Sequence, residues 1–514
     1  MATKPFSKPS ASLFQLTAKA DAARALFARN DWIKPRQGEV LMNVLPRLAF
    51  AKPSATETAV PVWLIGAKDC AAILADPAQS LLPPEALPFA AAIKFEPKPG
   101  KLLLFAQSSG QPGALFCLDD DAARADMFAP GALATLLPAG VYRFIGSPPC
   151  PELAALAFLL GTYRFDRYKK RPAAAPQLVA PENIDAAAVE ATANAVALAR
   201  DLVNTPANDL GPQELQDAIL AVAEQFGART SVISGDELAA GFPLIHAVGK
   251  GASRPPRLVD LRWGPEGARK LTLVGKGVCF DSGGLDIKPE SAMGLMKKDM
   301  GGAASALAAA AMIMAGKLDV NLRLIIPIVE NSVSAEAFRP GDIYPSRKGL
   351  TVEIGNTDAE GRLILADALA LADEEKPEIL VDFATLTGAA RVALGPDMPP
   401  FFTDDEALAA AIQSHAALAH DPVWRLPLWK PYDSKIDGKM ADLNNAPPGG
   451  FAGSITAALF LRRFVSPGLA WAHFDIYGWN PAARPGRPEG GEAQAARLIF
   501  SLAQEKFGIQ ASSA

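Results

Sequence analysis

Acidic and lysine side chains crowd into two short glycine-rich stretches, and this crowding is the strongest constraint on how the chain folds. The first stretch runs from Lys276 to Gly302, and the second is Asn356-Thr-Asp-Ala-Glu-Gly-Arg362. Carboxylates a few ångströms apart cannot all remain ionised unless a cation neutralises them. A fold that brings the two stretches together therefore needs multivalent cations between them, and two bound metal ions are the simplest solution.

The length of the chain predicts two domains, because 514 residues exceed what one hydrophobic core normally organises. The clearest change of composition is Lys169-Lys-Arg-Pro-Ala-Ala-Ala-Pro176, which is basic and then rich in proline and alanine. We therefore predict one domain over residues 1–175 and a second over 176–514. The basic run is interpreted as a solvated linker in preference to a nucleic-acid contact.

Apolar runs alternate with helical patterns along the chain, which is typical of an α/β protein. In the first domain we predict strands over 61–65 and 101–106 and a helix over 151–163. A further helix is predicted from about 184 to Arg200. The strands predicted after it are 258–263, 270–280, 322–329, 351–354, 379–384 and 470–476, and the helices between them are 301–315, 361–373 and 454–464. The predicted fold class is α/β with two domains, the larger C-terminal one built on a mostly parallel central sheet flanked by helices.

Both acidic stretches are expected where such sheets bind ligands, beyond the carboxyl ends of the strands. Asp281 and Asp358 each follow a predicted strand, and the Ser-Gly-Gly after Asp281 lets the backbone turn tightly against a ligand. Asp299 and Asp358 also precede predicted helices, so each alone is equally well interpreted as a helix N-cap. Together with Lys276 and Glu360 these acids are too dense for separate caps, which favours a metal site.

The donor types constrain the metal. The predicted ligands are almost all carboxylates, and such an oxygen-rich set suits Mn, Mg or Co as well as Zn. Lys276 can coordinate only as a neutral amine, so an adjacent dication must lower its pKa. The histidines form no zinc-binding spacing; His415 and His420 are predicted on a helix surface and His473 in the core.

Charge and apolar patterning disfavour several classes of function. The formal net charge of −5 argues against a nucleic acid or an anionic membrane as partner. The four cysteines are far apart, which is typical of reduced thiols. The N-terminus lacks the apolar core of a secretory signal and, although it faintly resembles a transit peptide, no arginine-rich helix follows. The longest apolar helical stretch, 303–315, is too short to span a membrane, so we predict a cytoplasmic protein.

The two acidic stretches together resemble the leucine aminopeptidase family, the M17-type cytosol aminopeptidases. Asn356–Arg362 reproduces that family's signature residue for residue, and the first stretch matches through Lys276, Asp281, Lys288 and Asp299. Supporting matches are Asn204-Thr-Pro-Ala-Asn208, Val329-Glu-Asn331, Arg339-Pro-Gly-Asp342, Thr385-Leu-Thr-Gly388 and Trp471-Ala-His-Phe-Asp475. The resemblance is specific from about 184 to 480. It is weak over the first 150 residues, and Gly161–Lys169 resembles the stretch between the family's two domains.

The resemblance implies a leucyl-type aminopeptidase, a hydrolase of the EC 3.4.11 type, with two divalent ions (Mn or Zn) in each subunit. By carry-over, Asp281 and Glu360 contact both ions. Lys276 and Asp299 hold the more loosely bound ion, and Asp358 holds the other through its side chain and backbone carbonyl. A water between ions roughly 3.5–4 Å apart is the implied nucleophile. One metal takes the free α-amine of the peptide substrate, which explains a requirement for an unblocked N-terminus.

The resemblance also assigns roles outside the metal ligands. Lys288, as an ammonium, is implied to hold the tetrahedral oxyanion. Arg362 matches the residue that holds a bicarbonate thought to shuttle the proton, and its planar fork suits such an anion. The pocket for the first side chain is implied to be lined by Met296, Thr385, Leu386, Thr387 and Gly388, so apolar N-terminal residues are the expected substrates. Relatives form hexamers, so a homohexamer is expected.

Two features depart from the family's pattern, and the sequence disfavours two other functions. Asp286 stands where the family more often has a small hydroxyl residue, and its charge is expected to raise the pKa of Lys288 or to shift substrate preference. The segment 485–492 also differs and is expected to alter the active-site entrance. DNA binding, as in some bacterial relatives, needs basic stripes that an acidic chain disfavours. A dinuclear phosphoesterase usually recruits histidines, which are scarce here.

Overall fold

The computed structural model describes residues 48–56, 58–75, 82–121, 126–146, 148–169 and 174–509. The transit-peptide and signal-peptide interpretations concern residues outside these ranges, as does the middle of the predicted linker (170–173). None of the helices within these ranges is both long enough and apolar enough to cross a membrane. The four cysteines are free, and Cys70, Cys117 and Cys279 are buried.

A five-stranded sheet organises the N-terminal domain. Its elements are β1 (Val60–Gly66), α1 (Ala67–Ala75), α2 (Ala86–Ala92), β2 (Leu102–Ala106), β3 (Pro112–Leu118), α3 (Leu133–Leu136), β4 (Gly140–Ile145), α4 (Pro151–Thr162) and β5 (Pro176–Leu178). The strand order is β2-β3-β1-β4-β5, with β2 antiparallel at one edge and the other neighbours parallel. The strands predicted at 61–65 and 101–106 and the helix at 151–163 are confirmed.

The C-terminal domain contains the remaining elements. They are α5 (Ala186–Asn204), α6 (Pro212–Phe226), β6 (Arg229–Ser234), α7 (Gly235–Gly241), α8 (Pro243–Gly249), β7 (Arg257–Trp263), β8 (Lys270–Gly275), β9 (Gly277–Asp281), α9 (Glu290–Met293), α10 (Gly301–Ala315), β10 (Asn321–Asn331), β11 (Ile343–Pro345), β12 (Thr351–Glu353), α11 (Glu360–Asp373), β13 (Ile379–Ala384), α12 (Gly388–Leu394), β14 (Pro400–Phe402), α13 (Glu406–Leu418), β15 (Trp424–Arg425), β16 (Leu443–Asn444), α14 (Gly453–Arg462), β17 (Trp471–Asp475), β18 (Trp479–Asn480), β19 (Gly490–Gly491) and α15 (Ala496–Phe507).

A nine-stranded sheet forms the centre of this domain, in the order β15-β14-β17-β13-β8-β10-β7-β6, with β9 also paired to β10. Its middle strands β17, β13, β8 and β10 are parallel, and β7 and β14 run antiparallel to their neighbours β10 and β17. The predicted α/β class with a mostly parallel central sheet is confirmed. Parallel strands buried on both faces need apolar side chains throughout, which explains their continuous apolar runs.

Helices cover both faces of the central sheet and create two apolar cores. On one face Leu324 and Ile326 of β10 pack with α5, α10 and α15. On the other face Ile325 and Val329 pack with α8, α11 and α14. Every residue of α10 from Gly301 to Met314 is buried, so this helix is a core element, as its alanine- and methionine-rich sequence predicts.

Two predicted strands differ from the structure. The run 270–280 is not one strand: β8 and β9 are separate, because the carbonyl of Lys276 leaves the sheet and accepts from the amide of Ala303 on α10 (2.8 Å). The run 351–354 is not part of the central sheet: β12 pairs with β11 and β16 in a three-stranded sheet. Asp281 therefore ends a strand of the central sheet as predicted, whereas Asp358 follows a strand of the small one.

The buried side chain of Arg200 joins the two domains and gives a first prediction. The guanidinium of Arg200 on α5 donates to Glu492 Oε2 (2.9 Å) and to the carbonyl of Leu160 on α4 (3.1 Å). Burial would raise the pKa of Glu492, but Arg200 and a hydrogen bond from Asn480 lower it to about 2. Because this folded-state pKa lies below the unfolded value, the carboxylate stabilises the fold above about pH 4.5 and loses that effect as the pH falls toward 2.

Glu492→Gln is accordingly expected to lower the free energy of unfolding by about 3 kcal/mol at pH 7, since each pKa unit corresponds to about 1.4 kcal/mol. Denaturant titrations at pH 7 and pH 3 measure this, and the gap from wild type should narrow at pH 3. Glu489→Gln, at an exposed position nearby, is the control. Equal stability of Glu492→Gln and wild type at pH 7 would contradict the assignment.

Candidate metal centre

Asp281 is held rigidly at the carboxyl end of β9. Its Oδ1 accepts hydrogen bonds from the Gly283 amide (2.9 Å) and from Asn331 Nδ2 (2.9 Å). The turn after it needs glycine, because Gly283 and Gly284 have φ of +88° and +67°. Oδ2 lies 2.8 Å from Lys288 Nζ. One carboxylate oxygen is thus fixed by the backbone turn, while the other faces the neighbouring charged groups.

Lys276 lies at the break between β8 and β9, and its side chain is almost completely buried. Its Nζ is 2.8 Å from Asp299 Oδ2, 2.9 Å from Glu360 Oε1, and donates to the carbonyl of Thr385 (2.8 Å). Burial lowers the pKa of Lys276, but the carboxylates of Asp299, Glu360 and Asp281 outweigh it and raise the pKa above its ordinary value. To coordinate a metal as a neutral amine, Lys276 would therefore have to lose the proton that these carboxylates stabilise on Nζ.

The five acid and lysine positions predicted as metal ligands form one cluster. Carboxylate oxygens of Asp281, Asp358 and Glu360 all lie within 4.8 Å of one another. Lys276 connects Asp299 to Glu360, and Lys288 forms ion pairs with both Asp281 and Asp358. The fold therefore brings together the two sequence stretches that are separated by more than 50 residues.

The electrostatics of the cluster fit a divalent cation. Burial and the neighbouring charge of Asp281 raise the pKa of Glu360 well above its ordinary value and that of Asp358 to about 6. Asp299 Oδ2, Asp358 Oδ1 and Glu360 Oε1 are shielded from solvent, and within the described part of the chain they pair with the ammonium groups of Lys276 and Lys288. Ionised carboxylates in this arrangement repel one another, and hard oxygen donors are what Mn, Mg and Zn accept.

The alternative interpretation as helix caps is wrong for both acids. Met300 occupies the N-cap of α10 and Ala359 that of α11, and neither helix start receives a side-chain capping bond. Asp299 instead accepts a hydrogen bond from Thr385 Oγ1 (2.8 Å). The other carboxylate oxygen of Asp299 lies 2.8 Å from Lys276 Nζ, so Asp299 remains a candidate metal ligand.

A glycine makes this arrangement of backbones feasible and gives a second prediction. A Cβ on Gly302 would lie 2.2 Å from the carbonyl oxygen of Phe383 and 2.9 Å from the amide nitrogen of Lys276. Gly302→Ala must push α10 away from β13 and displace Lys276, so we expect a loss of about 1–3 kcal/mol in stability together with weaker metal retention. Thermal unfolding and metal analysis measure both effects. Gly267→Ala, in open space, is the control, and equal behaviour of the two variants would contradict the prediction.

The other predicted site residues lie around the cluster. Thr385, Leu386, Thr387 and Gly388 follow β13, and Thr385 contacts both Lys276 and Asp299. Met296 begins the 3₁₀ turn Met296–Met300 that carries Asp299. Arg362 is buried in the first turn of α11, donates to the carbonyl of Asn445 (2.5 Å), and its Nε makes no hydrogen bond within the described residues. Burial lowers the pKa of Arg362 to about 10, so it remains a cation at neutral pH.

Three further side chains add to the comparison between the sequence predictions and the structure. Asp286 accepts from the amide of Thr357 (2.8 Å), and the groups that most raise the pKa of Lys288 against its burial are Asp281, Glu360 and Asp299. The expected effect of Asp286 on the pKa of Lys288 or on substrate preference stays a prediction. His415 is buried between Ser501 and Glu505, because α13 packs on α15, and is not a surface residue. Asn331 orients Asp281, a role that its place in a matching motif does not reveal.

His473 confirms its prediction as a core histidine. It is completely buried, and its Nδ1 lies 2.6 Å from Asp382 Oδ1, while the other oxygen of Asp382 accepts from Trp471 Nε1 (2.8 Å). A separate cavity of about 920 Å³ lies in the N-terminal domain, lined among others by Trp63, Asp69 and Ile145. No predicted site residue lines this cavity, so the acidic cluster is the candidate site.

Comparison with known proteins identifies the family. The sequence model of the "Cytosol aminopeptidase family, catalytic domain" matches residues 197–500, and that of the "M17 aminopeptidase, N-terminal domain" matches residues 84–181. The chain belongs to the cytosol aminopeptidase family. Membership identifies it as a metal-dependent peptidase of the aminopeptidase type, and the resemblance read from the two motifs is confirmed.

Individual relatives of the cytosol aminopeptidase family are similar over most of the chain. A probable cytosol aminopeptidase of Syntrophotalea carbinolica is 43% identical over 370 residues, which cover 68% of this chain and 73% of that protein. The crystal structure of the Coxiella burnetii cytosol aminopeptidase has a TM-score of 0.82 and 43% identity, covering 87% of this chain and 97% of that one. The bottromycin maturation enzyme BotP in complex with Mn has a TM-score of 0.78 and 32% identity, covering 87% and 99%.

Proposed function

We propose that the chain is a leucyl-type aminopeptidase that removes unblocked, preferably apolar N-terminal residues from peptides with the help of two divalent metal ions. The observation that carries this proposal is the cluster itself, in which the carboxylates of Asp281, Asp358 and Glu360 lie within 4.8 Å of one another beside Lys276 and Lys288. Like charges are tolerated at such distances when cations neutralise them.

The proposed ligands are those that meet in the cluster. Asp281 and Glu360 would contact both ions, Lys276 and Asp299 one of them, and Asp358 the other. Bound there, a metal pair supplies an acidified water as nucleophile and polarises the scissile carbonyl. We propose Mn or Zn as the native metal, with Mg or Co also suited to carboxylate donors. The Mn complex of BotP supports a manganese site in this fold.

Lys288 and Arg362 are the proposed catalytic side chains. Asp281, Glu360 and Asp299 keep the pKa of Lys288 above its ordinary value despite burial, so it stays an ammonium and can stabilise the oxyanion of the tetrahedral intermediate. Arg362 is charged and buried, and its Nε makes no hydrogen bond within the described residues. These properties support the binding of a planar anion such as bicarbonate, which would move the proton.

The remaining proposals concern specificity, assembly and location. Thr385 bonds to Lys276 and Asp299 of the cluster. We propose that the pocket for the first side chain is lined by Thr385 with Met296, Leu386, Thr387 and Gly388. We place the domain boundary between β5 and α5, a few residues after the predicted position 175, because β5 completes the first sheet. We also propose that the protein is a cytoplasmic homohexamer that binds no nucleic acid. The word cytosol in the names of its relatives supports the cytoplasmic location.

Chelation tests the proposed function and gives a third prediction. Hydrolysis of leucyl and methionyl anilides should disappear when a chelator removes the metal and return on adding Mn or Zn, because the carboxylate cluster alone has no nucleophile. An N-acetylated leucyl anilide, which lacks the free amine, is the matched control and should not be cleaved. Full activity of a chelated protein shown to be metal-free by elemental analysis would overturn the proposal.

A further inference from the structure

Asp475 occupies the end of β17 at the point where its neighbour β13 leaves the sheet. The two strands are parallel, and Asp475 is registered with Ala384, the last residue of β13. The amide of Ile476 still bonds to the carbonyl of Ala384 (2.8 Å). Beyond this residue lies the segment Thr385–Gly388, which we call the 385–388 loop. Its amides have left the sheet and need other acceptors.

The carboxylate of Asp475 supplies those acceptors. Oδ1 accepts from the amides of Leu386 (3.1 Å) and Thr387 (3.0 Å), and Oδ2 accepts from the Thr387 hydroxyl (2.6 Å). A fourth donor, the Ser454 hydroxyl, reaches Oδ2 at 3.0 Å. The side chain is buried. A carboxylate suits this place because both of its oxygens only accept hydrogen bonds, whereas an amide offers one acceptor and one donor group.

The opposite end of the 385–388 loop is attached to the metal centre. The carbonyl of Thr385 accepts from Lys276 Nζ (2.8 Å), and the Thr385 hydroxyl donates to Asp299 Oδ1 (2.8 Å). The bonds of Leu386 and Thr387 to Asp475, and those of Thr385 to Lys276 and Asp299, therefore fix the 385–388 loop from both ends. Asp475 makes none of the cluster's ion pairs among the described residues, so it fixes the position of the centre through the loop. Its charge also raises the pKa of Arg362 against the lowering effect of burial, an effect that Asp475→Ala and Asp475→Asn remove equally.

We propose that Asp475 is a positioning residue that fixes the 385–388 loop and thereby sets both the placement of Lys276 and the shape of the pocket for the substrate's first side chain. The inference rests on the proposed function, since it assigns this loop to the pocket. Displacement of a positioned group by about 1 Å costs up to about 100-fold in rate. Losing the three bonds to Asp475 is expected to have an effect of that order.

Kinetics with leucyl and alanyl anilides test the functional half of the proposal. Asp475→Ala should lower kcat/KM for the leucyl substrate by about 10- to 100-fold and reduce the preference for leucyl over alanyl. Asp475→Asn, which keeps one acceptor for the two amides, should retain more activity and more preference. Ser454→Ala removes a bond to the same carboxylate without touching the loop and should behave as wild type. Equal losses for both substrates, or equal effects of Ser454→Ala and Asp475→Ala, would overturn the proposal.

Amide hydrogen exchange tests the structural half without any assay of activity. Asp475→Ala should speed exchange at Leu386 and Thr387 while helices α10 and α11 keep their protection, and Ser454→Ala should leave the loop protected. Unchanged exchange in Asp475→Ala would overturn the positioning role even in an active enzyme. If Asp475→Ala speeds exchange in the loop but the wild-type protein cleaves neither anilide, the positioning role of Asp475 is supported and the proposed reaction is rejected. The failure of one proposal can therefore be told from the failure of the other.

Discussion

Replacing Glu360 by glutamine is expected to abolish peptide hydrolysis. Glu360 is completely buried, and its carboxylate lies between Lys276 and the oxygens of Asp281 and Asp358. Glutamine keeps the shape but cannot neutralise a cation. Losing several kcal/mol of metal-dependent stabilisation corresponds to a fall in kcat/KM of at least about 1,000-fold. Steady-state kinetics with a leucyl anilide, together with the metal content of each preparation, measure this effect.

In the absence of metal, Glu360→Gln is expected to leave the fold at least as stable as wild type. Because burial and neighbouring acids raise the folded-state pKa of Glu360, its ionised form destabilises the metal-free fold at neutral pH. Glu360→Gln should therefore unfold in chelator at a Tm no lower than wild type, whereas only wild type should gain Tm on adding Mn. Glu336→Gln, at an exposed position, is the control. Wild-type activity in Glu360→Gln would contradict the metal assignment.

Replacing Lys288 by methionine is the second change with a large expected effect. Its ammonium forms ion pairs with Asp281 and Asp358 at the edge of the cluster and is proposed to hold the oxyanion. Removing one such donor typically costs about 100- to 1,000-fold in kcat. Since methionine leaves the carboxylates in place, metal content and KM should stay close to wild type.

This combination separates Lys288→Met from Glu360→Gln, which should lose both metal and activity. Lys439→Met, at an exposed position, controls for the loss of one positive charge. If Lys288→Met kept wild-type kcat, the oxyanion would have to be stabilised by other groups. If instead it lost its metal, Lys288 would act in assembling the centre and not in the chemical step.

The main elements of the fold could be predicted because their local patterns agree with their environments. The run of small and apolar residues after Gly301 predicts a helix over 301–315, and α10 has these bounds. The short apolar run 379–384 likewise predicts the bounds of β13. The break at Lys276 could not be predicted, because it depends on a hydrogen bond from the amide of Ala303 on α10 to the carbonyl of Lys276, a tertiary contact that no local pattern reveals. Burial of His415 likewise depends on α15, which no local pattern reveals.

In the candidate site, too, some features could be predicted from the sequence and others depend on the fold. The acids and lysines were found from side-chain chemistry and from a family signature, both of which are visible in the sequence. The contribution of Thr385 was not visible, because it is a backbone carbonyl that holds Lys276, and any residue type supplies one. The role of Asp475 was also not visible, since it requires the register between β17 and β13. Partners provided by the backbone or by strand register appear only once the chain is folded.

Anomalous diffraction from crystals of the metal-loaded protein, recorded on both sides of the manganese or zinc absorption edge, tests the metal centre most directly. We expect two peaks roughly 3.5–4 Å apart. Both should lie among the carboxylates of Asp281, Asp299, Asp358 and Glu360. A crystal grown with saturating metal that shows no peak within this cluster would contradict the proposed chemistry and the assigned site together.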